Sequence, residues 1–198
     1  MRLLIDDVLD LLRLRVKPLA VYQYPWWQPA LLLTLLGLIA SGDTAELGGN
    51  IAGRIGFMVL FTWLETLFFT RFITFWLRLS KGELAAPLFG LVVVASGLQF
   101  VEPLTSWLPD DVAAGADIVL SLFGLVVLVN ALAAVSAVSR LRVLLGVALF
   151  MPLALVLLAA TLSFAKTAGW VDLPADMVAM MQERGVAVPA SEPAAKAR

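Results

Sequence analysis

Five apolar stretches of roughly 17 to 25 residues, each almost free of charge, follow one another along this 198-residue chain. Each is long enough to cross a hydrocarbon core about 30 Å thick. Lipid offers the backbone no hydrogen-bond partners, so a stretch that enters it satisfies its own N–H and C=O groups as a helix. Composition agrees: the chain is 61 % hydrophobic and 15 % charged, where a soluble domain averages nearer half and a quarter. The pattern predicts an all-α integral membrane protein with five transmembrane helices and an N-terminal amphipathic interfacial helix. Residues 1–20 form that amphipathic helix, 21–165 the five-span membrane domain, and 166–198 a polar tail that is partly disordered.

The expected spans run from Trp26 to Ala40, from Ile51 to about Thr70 with the helix continuing to Leu79, and from Leu84 to Val101. The last two run from Asp117 to Ser139 and from Val143 to Ala165. Tyr22, Tyr24, Trp26 and Trp27 mark where the chain enters lipid, because aromatic rings with a polar edge prefer the interface. Pro25 and Pro29 sit near the first turn of the first span, where a missing N–H costs little. In the tail, Pro174 to Arg184 suits one short helix stopped by Gly185.

At the N-terminus, Asp6, Asp7 and Asp10 interrupt the apolar run that a signal peptide needs. On a helical wheel Arg2, Asp6, Asp10, Arg13 and Lys17 share a narrow arc, with Leu4, Val8, Leu11 and Leu12 opposite and Arg15 as the one charge on the wrong side. Two surfaces suit such a helix: the headgroup plane, or the cytoplasmic helix ends of the same chain.

Lys and Arg set orientation. With the N-terminus cytoplasmic, that side holds Arg2, Arg13, Arg15, Lys17, Arg71, Arg78, Lys81, Arg140 and Arg142. The other side holds Arg54 against Asp43, Glu46, Glu102, Asp110, Asp111 and Asp117. Five spans then put the C-terminus outside.

The chain has 0 His and 0 Cys, which removes disulfides, thiolate nucleophiles, Cys/His zinc sites and Ser-His-Asp triads. No cofactor is expected, and the net charge of −1 gives no nucleic-acid footprint. Asp110 and Asp111 lack a third metal ligand. Met177, Met180 and Met181 suit a sticky helix face better than a copper site. The residues that remain argue against an enzyme.

Glu65 is the most informative single residue, an ionisable group inside the second span, where an unpaired charge costs about 2.5–3.5 kcal/mol at the centre. Counting about 1.5 Å per residue, it lies roughly 9 Å below Arg71, near the depth of Ser136, with Asn130 deeper. Two roles fit it: a polar clamp that fixes helix register, or part of a proton or cation relay. Gln99 and Asn130 are further intramembrane polar candidates. Gly49, Gly53 and Gly56 form a small face on the second span, and Ala133 and Ala137 share a stripe with Asn130 on the fourth. These suit internal helix packing or a partner groove. Arg71, Arg78, Lys81, Arg140 and Arg142 form a basic cytoplasmic rim that fits topology determination or lipid-headgroup binding.

The layout of spans, the basic turn Arg78-Leu-Ser-Lys-Gly82, the small-Pro segment Leu84-Ala-Ala-Pro87 and the run Leu122-Phe-Gly-Leu-Val-Val-Leu-Val-Asn130 resemble the bacterial branch of the Yip family. Eukaryotic members of that family interact with Rab GTPases. The resemblance covers about residues 18 to 162. It implies a non-enzymatic five-span protein of the bacterial inner membrane that organises membranes or recruits partners. The Asp-Leu-Tyr-Gly-Pro segment of the eukaryotic proteins is replaced by Tyr22-Gln-Tyr-Pro25, so Rab binding is not implied. Two alternatives stand beside this role. One is a small permease or ion-coupled carrier centred on Glu65, Asn130 and Gln99; a carrier usually shows helices broken at mid-depth, whereas Pro87 and Pro152 are expected near helix starts and Gly124 is the clearest candidate for a break. The other is an accessory subunit of a larger membrane complex. The expected partners are the lipid bilayer and a membrane protein or a second copy of the chain.

Overall fold

Three of the apolar stretches become helices long and apolar enough to cross a bilayer, and the other two become much shorter ones. The computed structural model describes residues 2–42, 47–48, 50–81, 85–101, 105 and 109–172. Its helices are α1 (Arg2–Leu12), α2 (Trp27–Ala40), α3 (Ile51–Lys81), α4 (Phe89–Ala95), α5 (Asp110–Ser136) and α6 (Arg140–Thr167). A 3₁₀ turn at Leu19–Tyr22 precedes α2, and a second 3₁₀ segment, Ser96–Phe100, continues α4. Among the described residues there is no strand. Spanning length is met by α3, α5 and α6, whereas the 14 residues of α2 rise only about 21 Å. Expected features at Asp43, Glu46, Gly49, Glu102 and throughout 173–198 lie outside the described residues, as do the side chains of Lys81, Asp110 and Asp111.

The long helices pack in an antiparallel arrangement. Near one end of the bundle, Trp76 of α3 donates its indole N–H to the Arg142 carbonyl of α6 at 2.9 Å. Toward the other end Phe57 of α3 packs with Leu162 and Ala165 of α6. There the chain after α6 folds back, so that Gly53 lies against the backbone of Trp170 and Gly56 against its ring. Those two glycines therefore serve contact with the segment after α6. Closest approach of α2 to α3 falls instead at Gly37, where an added Cβ would stand 2.6 Å from the Val59 Cα.

The stripe expected on the fourth span divides in two. Ala133 is buried, but Ala137 has φ 50° and caps α5 in the left-handed conformation. It is an exposed turn residue. Two helices joined by three residues need one such reversal, and Ala137 supplies it.

At the centre lies α4, whose residues Gly90 to Ala95 are all buried. Contacts from α1, α2, α3 and α5 surround it. A helix that is apolar on every side belongs in a core, and one shielded from lipid by other helices need not match bilayer thickness. Two glycines let neighbours reach it: Gly90 abuts the Tyr22 carbonyl, and a Cβ at Gly97 would stand 2.8 Å from the Val8 side chain.

Of the two surfaces suited to α1, the structure shows the protein's own bundle. Leu4 and Leu11 are buried in the core, while Ile5 and Leu9 remain exposed. The helix thus has a protein-facing side, an uncovered apolar side and the charged arc. Asp7 lies off the charged arc and is only 3 % exposed. Its burial is compensated by bonds: Lys17 Nζ lies 2.7 Å from Asp7 Oδ1 and 2.7 Å from Asp10 Oδ2, and the Tyr24 hydroxyl donates to Asp7 Oδ2. The Lys17 N–H donates to the Tyr22 hydroxyl at 3.1 Å. These bonds tie α1 to the segment that leads into α2.

The hydrogen bond from Lys17 holds the Asp10 carboxyl below the usual carboxylate range. Asp10, and after it Asp7, raises the Lys17 ammonium above the usual lysine range. A carboxylate with a lowered folded pKa contributes stability above its unfolded value of about 4 and loses it as pH falls; a raised lysine contributes below about 10 and loses it as pH rises. Docking of α1 should therefore be flat from about pH 5 to 9 and loosen below about pH 4. Hydrogen–deuterium exchange, corrected for intrinsic pH dependence, should show α1 amides losing protection in acid before α4 amides do. Lys17→Met should produce the same loosening at neutral pH.

Candidate functional site

The middle of α3 faces inward with the sequence Thr62-Trp-Leu-Glu65-Thr66. Around it α2, α3, α4 with its 3₁₀ continuation, α5 and α6 leave a cavity of about 620 Å³. Glu65 and Gln99 both line it, joined by the hydroxyl-bearing Thr62, Thr66, Ser96 and Ser121. Among the described lining residues there is no Lys or Arg. Glu65 is half-buried, and among the described residues no donor or cation is bonded to it.

Local sequence explains why Gln99 reaches this place. Val92-Val93-Val94 is a β-branched run with restricted side-chain rotamers, and Ser96-Gly97 follows it with low helix propensity. The α-helix gives way to 3₁₀ geometry there, and the Ser96 hydroxyl bonds back to the Val92 carbonyl at 3.1 Å. Tighter winding then carries Leu98 and Gln99 to the cavity wall. A 3₁₀ stretch inside a helical pass often marks a strained or functional position.

One end of the cavity is closed. Phe69 and Phe150 meet edge to face at 5.1 Å between ring centres, and Phe72 packs on Phe150 at 5.7 Å. Beyond them Ile73, Leu77, Leu132 and Val143 are fully packed. At the other end the lining passes to Ile39, Ala40, Met58 and Leu120. The space is therefore blind toward the Arg140–Arg142 end and extends toward the C-terminal end of α2.

Not every expected polar residue joins this site. Asn130 Oδ1 accepts a hydrogen bond from Arg140 Nη2 at 2.9 Å. The buried Ser136 hydroxyl donates to the Leu132 carbonyl at 2.6 Å. Neither lines the cavity. Depth counted from Arg71 and from Arg140 assumes that both lie at one level. In the structure Trp76, five residues beyond Arg71, is the residue bonded beside Arg142, so the two scales are offset and α5 presents Leu125 and Leu128 to the cavity instead.

The basic rim is partly integrated into packing. Arg142 places its guanidinium carbon 5.6 Å from the centre of the Trp76 ring, a cation–π distance. Arg71, Arg78 and Arg140 are exposed, and Lys81 ends α3. The expected helix break also moves. Pro152 lies inside α6 and not near its start, and α6 continues through it. Across Gly124, which faces the Leu98 side chain, α5 is continuous. The discontinuity is at Ser96, signalled in the sequence by the valine run followed by Ser-Gly.

Among the described residues no group of three His, Cys, Asp or Glu could hold a metal ion. No protein-family profile, curated protein or solved structure matches the chain.

With 0 native cysteines, single thiols report the cavity cleanly. Ser96→Cys and Ser121→Cys should react with a small water-soluble maleimide in the detergent-solubilised protein. Ser136→Cys should react at least about tenfold more slowly, since exchange at packed sites requires local opening. Labelling of Ser96→Cys as slow as that of the packed Ser136→Cys would mean that the cavity is not water-accessible.

Proposed function

We propose that this chain is a non-enzymatic, multi-pass membrane protein that holds a small solute inside the membrane, as a small permease does. The observation that carries this reading is the convergence of Glu65 and Gln99 on one cavity of about 620 Å³, with Glu65 bonded to nothing else among the described residues. Small-molecule sites commonly occupy roughly 300–1,000 Å³, with apolar walls and a few placed polar groups. An ionisable residue kept in a membrane interior marks a functional site more often than a structural one. The interruption of α4 at Ser96 adds support, because carriers place irregular backbone where it lines a cavity.

Three long helices, α3, α5 and α6, the last two joined by a basic turn, together with the shorter passes α2 and α4, support a chain that crosses five times. The Lys and Arg distribution supports a cytoplasmic N-terminus and basic rim, an outside C-terminus and residence in a bacterial inner membrane. A reporter fused after Arg198 that is active only outside the cytoplasm is the expected result, and a cytoplasmic signal overturns this topology.

A second reading, membrane organisation or partner recruitment of the kind implied by the Yip resemblance, is favoured by one feature. The first half of α5 is uncovered, with Val112, Ile118, Val119 and Leu122 all exposed. The two readings separate on one measurement. After gentle extraction, mass spectrometry of small molecules carried by the native protein should find a compound enriched with the wild type and lost in Ser121→Trp, which fills the cavity from an exposed position. A fixed protein partner at equal yield in both proteins, with no carried compound, would favour recruitment or an accessory-subunit role.

A further inference from the structure

Resting on the solute-binding reading, we propose that the cavity takes a monovalent organic cation: an ammonium head on an apolar body. Charge balance in the lining is the first ground. Among the described lining residues Glu65 is the one acid, and no base stands with it. Thr62, Thr66, Ser96, Ser121 and Gln99 solvate a charge but do not neutralise one. A cationic ligand supplies the counter-charge that the protein withholds.

Coordination chemistry narrows the class. Calcium and magnesium require six or more oxygen ligands with a high share of carboxylate or retained water, and one carboxylate with scattered hydroxyls does not meet that demand. An ammonium needs less, since one carboxylate and a few oxygens or ring faces suffice. Phe61, Phe69 and Phe150 are part of the wall, and aromatic faces attract such cations at close range. The rest of the lining is aliphatic or thioether, including Leu36, Met58, Leu125 and Met151, which suits an apolar body attached to the charge.

The route follows from the same geometry. Phe69 and Phe150 close the cavity at the end that carries Arg71, Arg78, Arg140 and Arg142. Those four cations repel a cation approaching from that side. A cationic solute therefore loads from the end lined by Ile39, Ala40 and Met58.

The test uses the full-length protein in nanodiscs, with benzyltrimethylammonium and choline as cationic probes and 3,3-dimethylbutanol as the uncharged isostere of choline. Calorimetric titration should show choline binding about tenfold tighter than its isostere, with benzyltrimethylammonium tighter still. Glu65→Gln should abolish that preference, and elution as a single peak at the wild-type volume in size-exclusion chromatography shows that the variant is folded. If Glu65→Gln fails to fold, Glu65→Asp keeps the charge and should retain the preference. Equal binding of cation and isostere, or a preference that survives Glu65→Gln, overturns the cation assignment and leaves solute binding standing. Binding of none of the three probes overturns the cation assignment too, and if the native protein also carries no compound the solute-binding reading falls with it.

Discussion

The burial of α4 is the constraint on which the rest of the bundle depends. Six consecutive residues, Gly90 to Ala95, are removed from both water and lipid, so four other helices must surround them. Lipid tails are as apolar as these side chains, and the hydrophobic effect therefore does not drive this enclosure. Close packing does. That is why the contacts around α4 depend on missing side chains: Gly90 admits the Tyr22 carbonyl, and Gly97 admits Val8. The same logic recurs at Gly37, where α2 rests on α3. Glycine costs helix propensity in water, but here it allows backbone approach that no other residue permits.

Enclosing α4 also explains why α1 carries a buried acid. To cover the side of α4 near Gly97, α1 must turn Leu4, Val8 and Leu11 inward, and the helical period brings Asp7 with them. An unpaired buried carboxylate would be costly. Lys17, ten residues later, reaches back to it, and Tyr24 donates to its other oxygen. The polar cluster is thus a consequence of the covering geometry. It links the N-terminal helix to the chain entering α2, so that the cover and α2 are tied to each other.

Much of the architecture was legible in the sequence because it rests on period and length. The charge-free runs located α3, α5 and α6, and the arc of Leu4, Val8 and Leu11 identified the packing face of α1. Length alone misled for the third stretch. Leu84 to Val101 has the composition of a span, yet its helix breaks at Ser96, because local propensity acts where lipid no longer enforces regular geometry. Of the site, Glu65 and Gln99 were legible as polar residues in apolar runs, but their meeting was not. Asn130 has the same signature and bonds to Arg140 instead. Which polar residues converge depends on the offset between α3 and α6, marked by the bond from Trp76 to Arg142, and no pattern within a single helix encodes that offset.

The cavity and the broken helix are two results of one packing decision. A regular helix continuing from Ala95 would keep its rise of about 1.5 Å per residue. The 3₁₀ segment is narrower and winds faster, so it withdraws side-chain volume from the space between α3 and α5. Gly124 withdraws more from the α5 side: among the described residues an added Cβ there would meet the Leu98 side chain alone, at 3.4 Å. The space that results lies beside Glu65. A Glu65 side chain facing a cavity of about 620 Å³ keeps room for water or a ligand beside it. Filling the space with aliphatic side chains would raise packing density but strand the charge. Glu65 and the irregular end of α4 are therefore interdependent, and replacing either with a residue suited to an ordinary span removes the physical reason for the other.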